Sequence, residues 1–380
     1  MINSGPFVVT MLIWMTCIPI QTVNAFSTSN SPPPPPSSSL KVTPKPSDSD
    51  SSKPSVAQCL LNRVKSNDSA GEVARNVAAP FVVDDEVMGA ILPNVVDILL
   101  EYPNVFHVTD KNVKLLDPTP GDNDDNEEGS DDDSIIKSRS AAFNDVMLDL
   151  RNSQPDLIPA LQGWRDELFS VRSSFHSKPK LIIERACAPL FGVPAYGVFV
   201  NGYTCEGDNN NTPTHIWIGR RSSTKQTWPS RLDCLAAGGL SSGMLPKQSM
   251  INECQEEAGI PEELLLDNLK SVSAVSYTGY NDDRWGLKRD VLYCFDLQLP
   301  VDFKPIPVDG EMESFMKINI KDDLIDLLAK PILEKDDSDN EWKTNCGVVL
   351  IDFLCRHGFV DVDDPAYLQL IGSLRGAPCI

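Results

Sequence analysis

Gly238-Gly239-Leu240-Ser241-Ser242-Gly243-Met244-Leu245-Pro246-Lys247-Gln248-Ser249-Met250-Ile251-Asn252-Glu253-Cys254-Gln255-Glu256-Glu257-Ala258-Gly259-Ile260 is a glycine-punctuated loop followed by a short helical pattern with its own start and stop. Pro246 suits a first turn, where its missing N–H would have had no intrahelical partner, and Gly259 followed by Pro261 is a stop signal. Between them Met250, Ile251, Cys254 and Ala258 recur at helical spacing and form an apolar stripe. Glu253, Glu256 and Glu257 stand on the other side at i, i+3 and i+4. Like charges so placed repel by roughly 0.2–0.5 kcal/mol per pair, a term that a divalent cation reverses. The arrangement therefore asks for a cation. In the loop ahead, Gly238, Gly239 and Gly243 allow a close backbone approach to a ligand or a turn with positive φ.

This loop and helix resemble the Nudix box, G-x5-E-x7-R-E-U-x-E-E-x-G-U with U a bulky apolar residue. Alignment on Gly259 puts the opening glycine at Gly238 and the carboxylates at Glu253, Glu256 and Glu257. Met244 stands where the pattern has its first Glu, and Asn252 where it has Arg. The flanks extend the likeness: Ile183-Glu184-Arg185-Ala186, Pro189-Leu190-Phe191-Gly192-Val193, Tyr196 to Tyr203, Ile216 to Ser222 and Thr224 to Pro229 upstream, then Gly286 to Tyr293, Asp296 to Pro300 and Asp309 to Phe315 downstream. This series is similar to the Nudix subfamily of plant plastid enzymes and of the domain fused to fungal thiamine pyrophosphokinase, whose members also relax the first Glu and the Arg. The likeness runs from about residue 77 to the end of the chain, with Ser230 and Cys234 standing where the subfamily has Gly and Asn.

The resemblance implies hydrolysis of a diphosphate linkage, with thiamine diphosphate and its oxidised, damaged analogues as the leading substrates and the monophosphate and phosphate as products. ADP-ribose, NADH or another nucleoside diphosphate derivative is the alternative substrate. A Nudix-fold binding or regulatory protein of weak activity is the other, kept open by Met244 and Asn252. Mg²⁺ or Mn²⁺ is the implied cofactor, because such an ion bridges diphosphate oxygens and is content with a few carboxylates plus water. Glu253, Glu256 and Glu257 are the implied metal ligands, with Glu253 or Glu257 polarising the attacking water. Glu311 and Glu313 are candidates for a loop carboxylate that completes the site or acts as general base; Glu313 is otherwise a solvated loop acid. Arg220, Arg221, Lys225 and Arg289 are candidates for phosphate binding, with Gly239 offering backbone to the substrate; the cations could equally be ordinary surface groups. Lys288 shares that ambiguity. Trp228, Tyr277 and Tyr280 either stack on a heteroaromatic ring or fill the core.

Around this centre the composition changes. Residues 1–25 read as a signal peptide, with an apolar run from Phe7 to Ile20 that is short for a membrane span and a Val23-Asn24-Ala25 cleavage context. No Lys or Arg precedes the run, so an uncleaved anchor is the alternative. Residues 26–54 are Ser/Pro-rich, contain Pro32 to Pro36, and lack the apolar content to fold. A signal peptide followed by Phe26 and a Ser-rich tail looks like the two-part presequence of algae with complex plastids, against secretion or the endomembrane system as the rival. Ten cysteines, nine without Cys17, are widely spaced and include no CxxC, which indicates neither a disulfide framework nor a zinc site.

Residues 55–178 read as a small α+β accessory domain. Helices are expected near Val56–Val64, Ile91–Leu100, Ala141–Leu150 and Leu161–Phe169, and an extended piece at Pro80–Val83. Its stretch 121–134 carries eight acids and no base and is expected to be a disordered loop. Those acids supply much of the net charge of −21, from 33 Lys and Arg against 54 Asp and Glu, and no basic cluster suggests a nucleic-acid surface. Nor is a membrane partner expected once the presequence is gone; the oligomeric state leaves no mark. Residues 179–380 are expected to form the Nudix α/β/α sandwich, a mixed sheet between helices, with strands at Gly197–Asn201, His215–Gly219, Leu235–Gly239, Ser271–Tyr277 and Val291–Leu297.

Overall fold

The computed structural model describes residues 53–118, 132–164, 166–207, 212–240, 243–281, 284–331 and 341–377. The expected presequence up to residue 52 and the acidic stretch up to residue 131 lie outside them. α1 (Val56–Asn67) is capped by Ser55, whose hydroxyl accepts from the Gln58 N–H. After α2 (Gly71–Asn76) come β1 (Ala79–Val83), β2 (Glu86–Ile91), α3 (Pro93–Leu99), β3 (Phe106–Val108), β4 (Val113–Leu115) and α4 (Asp132–Ser153). The four strands make a sheet in the order β2-β1-β4-β3, with β1 and β4 parallel. Pro93 in its first turn moves the start of α3 past the expected Ile91, which ends β2 instead. Asp132, Asp133 and Ser134, the end of the expected acidic loop, open α4.

The helix expected over Leu161–Phe169 is absent. Pro159–Gly163 forms a 3-10 turn, and β5 (Leu168–Val171) pairs antiparallel with β6 (Leu181–Glu184). Two four-residue strands joined by so long a connection lack the short-turn signature of a tight hairpin. The expected boundary at residues 178 and 179 lies in the connection between these two strands.

The larger sheet is built from β7 (Pro194–Thr204), β8 (His215–Arg221), β9 (Leu232–Asp233), β10 (Ala236–Gly239), β11 (Leu269–Tyr280), β12 (Leu287–Gln298) and β13 (Met312–Asn319). Its main path runs β11-β12-β7-β8-β13, with β10 on β7 and β9 on β8. β12 and β7 are parallel and the other pairs antiparallel, so the sheet is mixed. All five expected strands are present, four of them longer than expected; β13 was not foreseen, since its run Met312-Glu313-Ser314 opens on a bulge.

Alternate residues feed opposite faces, as the two-residue period of a strand requires. Phe199, Ile216, Ile218, Leu292 and Cys294 pack under α1, α7 (Ile325–Ala329), α8 (Thr344–Arg356) and α9 (Tyr367–Ser373). Val198, Val200, Trp217, Phe295 and Leu297 pack under α5 (Pro246–Ala258) and α6 (Glu262–Asn268). The result is a helix-sheet-helix sandwich. A third core joins the smaller sheet, α4 and the β5–β6 hairpin around Phe81, Phe106, Phe143 and Phe191. Among the described residues no helix is long and apolar enough to cross a membrane.

Candidate active site

Helix α5 behaves as its sequence dictates. Pro246 occupies the first turn, Gly259 ends the helix in the left-handed region at φ 61°, and Met250, Ile251, Cys254 and Ala258 are buried against the sheet. The three glutamates then separate by depth. Glu257 is buried; its Oε2 accepts from the Ala237 N–H on β10 at 2.8 Å, while Oε1 has no hydrogen-bond partner. Glu253 is half-buried and Glu256 exposed.

Glu253 lies flat on β10. A Cβ built on Gly238 would stand 1.8 Å from its Oε1, so only glycine lets the carboxyl lie there. Burial, then Glu256, Glu311 and Asp309, push the Glu253 carboxyl up to about 7, with Lys225 pulling the other way. Glu257 is raised well above its ordinary value, first by burial and then by Asp233. Glu253 is thus crowded by acids, and Glu257, one turn along the same helix, keeps an oxygen without a partner. A hard divalent cation would relieve both conditions, and oxygen donors of this kind suit Mg²⁺ or Mn²⁺.

Glu253 opens onto a cleft of about 570 Å³ whose floor is Ala195, Gly197 and Phe199 of β7 with Asp290 and Leu292 of β12. One wall is the loop Thr224–Thr227; Lys225 there pairs with Glu311, and the Ser222 N–H donates to the Glu311 carbonyl at 2.9 Å. Lys343 and Asn345, at the head of α8, close one end. Beneath them Asp233 is fully buried and takes Arg221 at 2.9 Å, Lys343 at 3.1 Å and the Cys346 thiol at 2.6 Å. Burial alone would raise this carboxyl, but Lys343 and Arg221 hold it below its ordinary range.

The expected site residues divide accordingly. Lys225, Gly239 and Glu253 line the cleft. Arg221 also borders it, but its donors are spent on Asp233 and on the Thr227 and Trp228 carbonyls, so it anchors the loop. Arg220 bonds the Ser230 carbonyl and is not among the lining residues. Arg289, expected as a phosphate ligand, is not among the residues that line the cleft: one residue out of step with Asp290, it lies on the opposite face and donates to the Gly192 carbonyl at 3.2 Å. Glu313 is likewise outside the cleft, exposed beyond the bulge, and Glu311 occupies the place beside Lys225. Trp228, Tyr277 and Lys288 border an adjoining hollow, whereas Tyr280 packs near Ala70 and Leu92.

Glu167, Arg185, Asp290, Lys343 and Asn345 were not anticipated as site residues. Arg185 and Asp290 sit in flanking segments that carry the family likeness, a signal that could have found them. Nothing local marks Lys343.

Fold and site together define an α/β/α protein in which one short helix presents carboxylates to a glycine strand at the edge of a partly cationic cleft. Residues 59–195 match the family described as "Domain of unknown function (DUF4743)". Over 304 residues the chain is 36% identical to "Nudix hydrolase 20, chloroplastic" of Arabidopsis thaliana, covering 79% of this chain and 73% of that one. Over 307 residues it is 36% identical to "Nudix hydrolase 24, chloroplastic" of the same plant, with the same coverage of 79% and 73%. Among solved structures, the MutT/nudix family protein from Enterococcus faecalis is 14% identical, with 48% of this chain and 70% of that one covered at a TM-score of 0.31. The chain belongs to the Nudix hydrolase family and is a Nudix hydrolase.

Proposed function

We propose that this enzyme hydrolyses a diphosphate linkage in thiamine diphosphate or its oxidised analogues, releasing the monophosphate and phosphate. The observation that carries the reading is the Glu253 carboxyl lying on Gly238 at the cleft, with Glu311 and Lys225 near enough to act on its charge. Glu253, Glu256 and Glu257 would hold Mg²⁺ or Mn²⁺. When bound, that ion supplies charge neutralisation and polarisation at the phosphate oxygens.

The chain's own groups do the rest. The Ala237 N–H fixes one oxygen of Glu257 and leaves the other, Oε1, without a partner. Lys225 trades Glu311 for a phosphate oxygen, and Glu311 Oε2, released, accepts a proton from the attacking water. The Thr227 and Trp228 carbonyls, tied to Arg221, keep the loop that carries Lys225 in register with β8. The choice of thiamine-type substrates is supported by the flanking likeness and by the aromatic hollow that Trp228 and Tyr277 border.

Release of phosphate and monophosphate from thiamine diphosphate, its oxidised analogue, ADP-ribose and NADH, with Mg²⁺ and with Mn²⁺, tests the reading. The thiamine compounds are expected to be turned over fastest, and Glu253→Gln to lower kcat by about 100-fold or more. Faster turnover of ADP-ribose or NADH would replace the substrate, and an unimpaired Glu253→Gln would remove the site. We also infer that residues 1–54 direct the protein to a plastid. A fluorescent fusion of residues 1–60 found in the secretory pathway would refute that.

A further inference from the structure

The cleft does not end at the carboxylates. It runs on into a smaller hollow of about 240 Å³ bordered by Phe169, Trp228, Tyr277 and Lys288. Glu167, Arg185, Gly239, Asp290 and Asn345 line both spaces and so form the neck between them. Two of these, Glu167 and Arg185, come from the β5–β6 hairpin, within the 59–195 region rather than the box.

The hairpin register explains how they meet. Leu168 pairs with Glu184, so Glu167 and Arg185 are the next residues outward on their strands. The Arg185 N–H donates to the Glu167 carbonyl at 2.9 Å, and its Nη1 donates to Glu167 Oε1. Arg185 is thereby held at two points while its side chain remains 49% exposed. Its guanidinium hangs over β10, 3.5 Å from where a side chain on Gly239 would begin, one residue along from the Gly238 on which Glu253 lies. Glu167 takes one nitrogen of a planar fork that has five donors, leaving an edge for a second anion.

The hairpin cannot swing away easily. The turn that follows it is locked to the smaller sheet and to β12: the Ala90 N–H donates to the Phe191 carbonyl at 3.0 Å and the Leu287 N–H to the Pro189 carbonyl at 2.8 Å. A Cβ on Gly89 would stand 2.1 Å from the Phe191 carbonyl oxygen, and one on Gly286 would stand 2.3 Å from that of Pro189. A guanidinium on so rigid a support is preorganised.

We propose that Arg185 binds the phosphate nearest the organic half of the substrate, that Glu167 positions it, and that the hollow beyond takes the organic group. The inference rests on the diphosphatase reading above and gives the 59–195 region a share in substrate recognition. A substrate reaching from Glu253 into the hollow has to pass under Arg185. The phosphate that stays with the organic product is the one placed there, while the departing phosphate remains beside Glu253 and Lys225.

Arg185→Ala, Arg185→Lys and Glu167→Gln in the full chain test this by steady-state kinetics on the best substrate of the panel, with a calorimetric titration of inorganic pyrophosphate in Mg²⁺. Loss of a charged hydrogen bond predicts that Arg185→Ala raises KM and weakens pyrophosphate binding by about 10- to 100-fold, with kcat within about threefold of wild type. Arg185→Lys should recover part of the loss, and Glu167→Gln should raise KM less than Arg185→Ala does. Unchanged KM and unchanged pyrophosphate affinity in Arg185→Ala overturn the proposal. So does a fall in kcat and melting temperature without a change in KM. If the wild type turns over no panel compound, the substrate reading fails by itself, and the pyrophosphate titration still decides the role of Arg185.

Discussion

Ser230 holds a backbone φ of 60°, in the left-handed region that glycine enters freely and other residues enter at a cost. It stands where the subfamily likeness calls for Gly, so the structure supplies a reason for that glycine. Two residues earlier Trp228 is also left-handed, at φ 55°, with its carbonyl held by Arg221. This short strained stretch delivers Lys225 to the cleft and Trp228 to the hollow, which fits the tendency of strain to gather at functional sites. Relieving it at residue 230 should stabilise. The left-handed penalty is about 1–2 kcal/mol and the extra unfolded-chain entropy of glycine returns about 0.5–1 kcal/mol of that, so Ser230→Gly is expected to gain roughly 0.5–1 kcal/mol. Urea unfolding would measure it. A variant less stable than wild type would mean that the serine side chain has a compensating role.

At the scale of elements, α5 was legible in full because both its ends and its buried stripe are written locally, in Pro246, Gly259 and the spacing of Met250, Ile251, Cys254 and Ala258. The glutamate trio was legible as chemistry but not as depth: that Glu257 is buried and Glu256 exposed follows from the docking of α5 on β10. The β5–β6 hairpin was missed because a single short pair joined by a long connection carries no tight-turn signal, so only the flanking likeness marked Arg185. The clamp between α8 and β12 is far less local. Arg356 donates to Asp296 at 2.6 and 3.0 Å and to Asp352 at 2.6 Å, while His357 and Asn201 also meet Asp296. Burial works to raise the Asp296 carboxyl, but His357 and Arg356 prevail and hold it below its ordinary range. A carboxyl whose folded pKa lies below its unfolded value, about 3.9, gives its full stabilisation above that value and loses it as pH falls through the folded pKa. Breaking such a buried pair costs about 3–5 kcal/mol, so Asp296→Asn should be less stable by that order at pH 7. The gap should narrow below about pH 4 as the wild-type carboxyl protonates. Unfolding in urea at pH 7 and pH 3 reads both numbers, and a gap that does not change with pH would show that the charge on Asp296 is not what matters.

On the scale of the whole molecule, the N-terminal region is bound into the sandwich in two places. Ala57, Leu60, Leu61 and Val64 of α1 are fully buried in the same core as Val349, Phe353 and Leu370 of α8 and α9. Leu181 and Ile183 of β6, with Leu190 and Phe191 of the turn that leads to β7, face the core shared with α4 and the smaller sheet. A chain that began at residue 179 would therefore expose both surfaces. Burial of a Leu or Val side chain contributes about 1.5–3 kcal/mol, so Leu60, Leu61 and Val64 together account for roughly 5–9 kcal/mol. The net stability of a domain is only about 5–15 kcal/mol, so this loss alone removes most of it. A 179–380 fragment is accordingly expected to be aggregated or molten, and a chain starting at residue 53 to be folded and active. Size-exclusion chromatography and near-UV circular dichroism distinguish the two outcomes. A monomeric 179–380 fragment that unfolds cooperatively would mean that the catalytic sandwich carries a sufficient core without α1. Full activity in that same fragment, which keeps Arg185 but lacks Glu167, would further mean that the hairpin does not need its first strand to place Arg185.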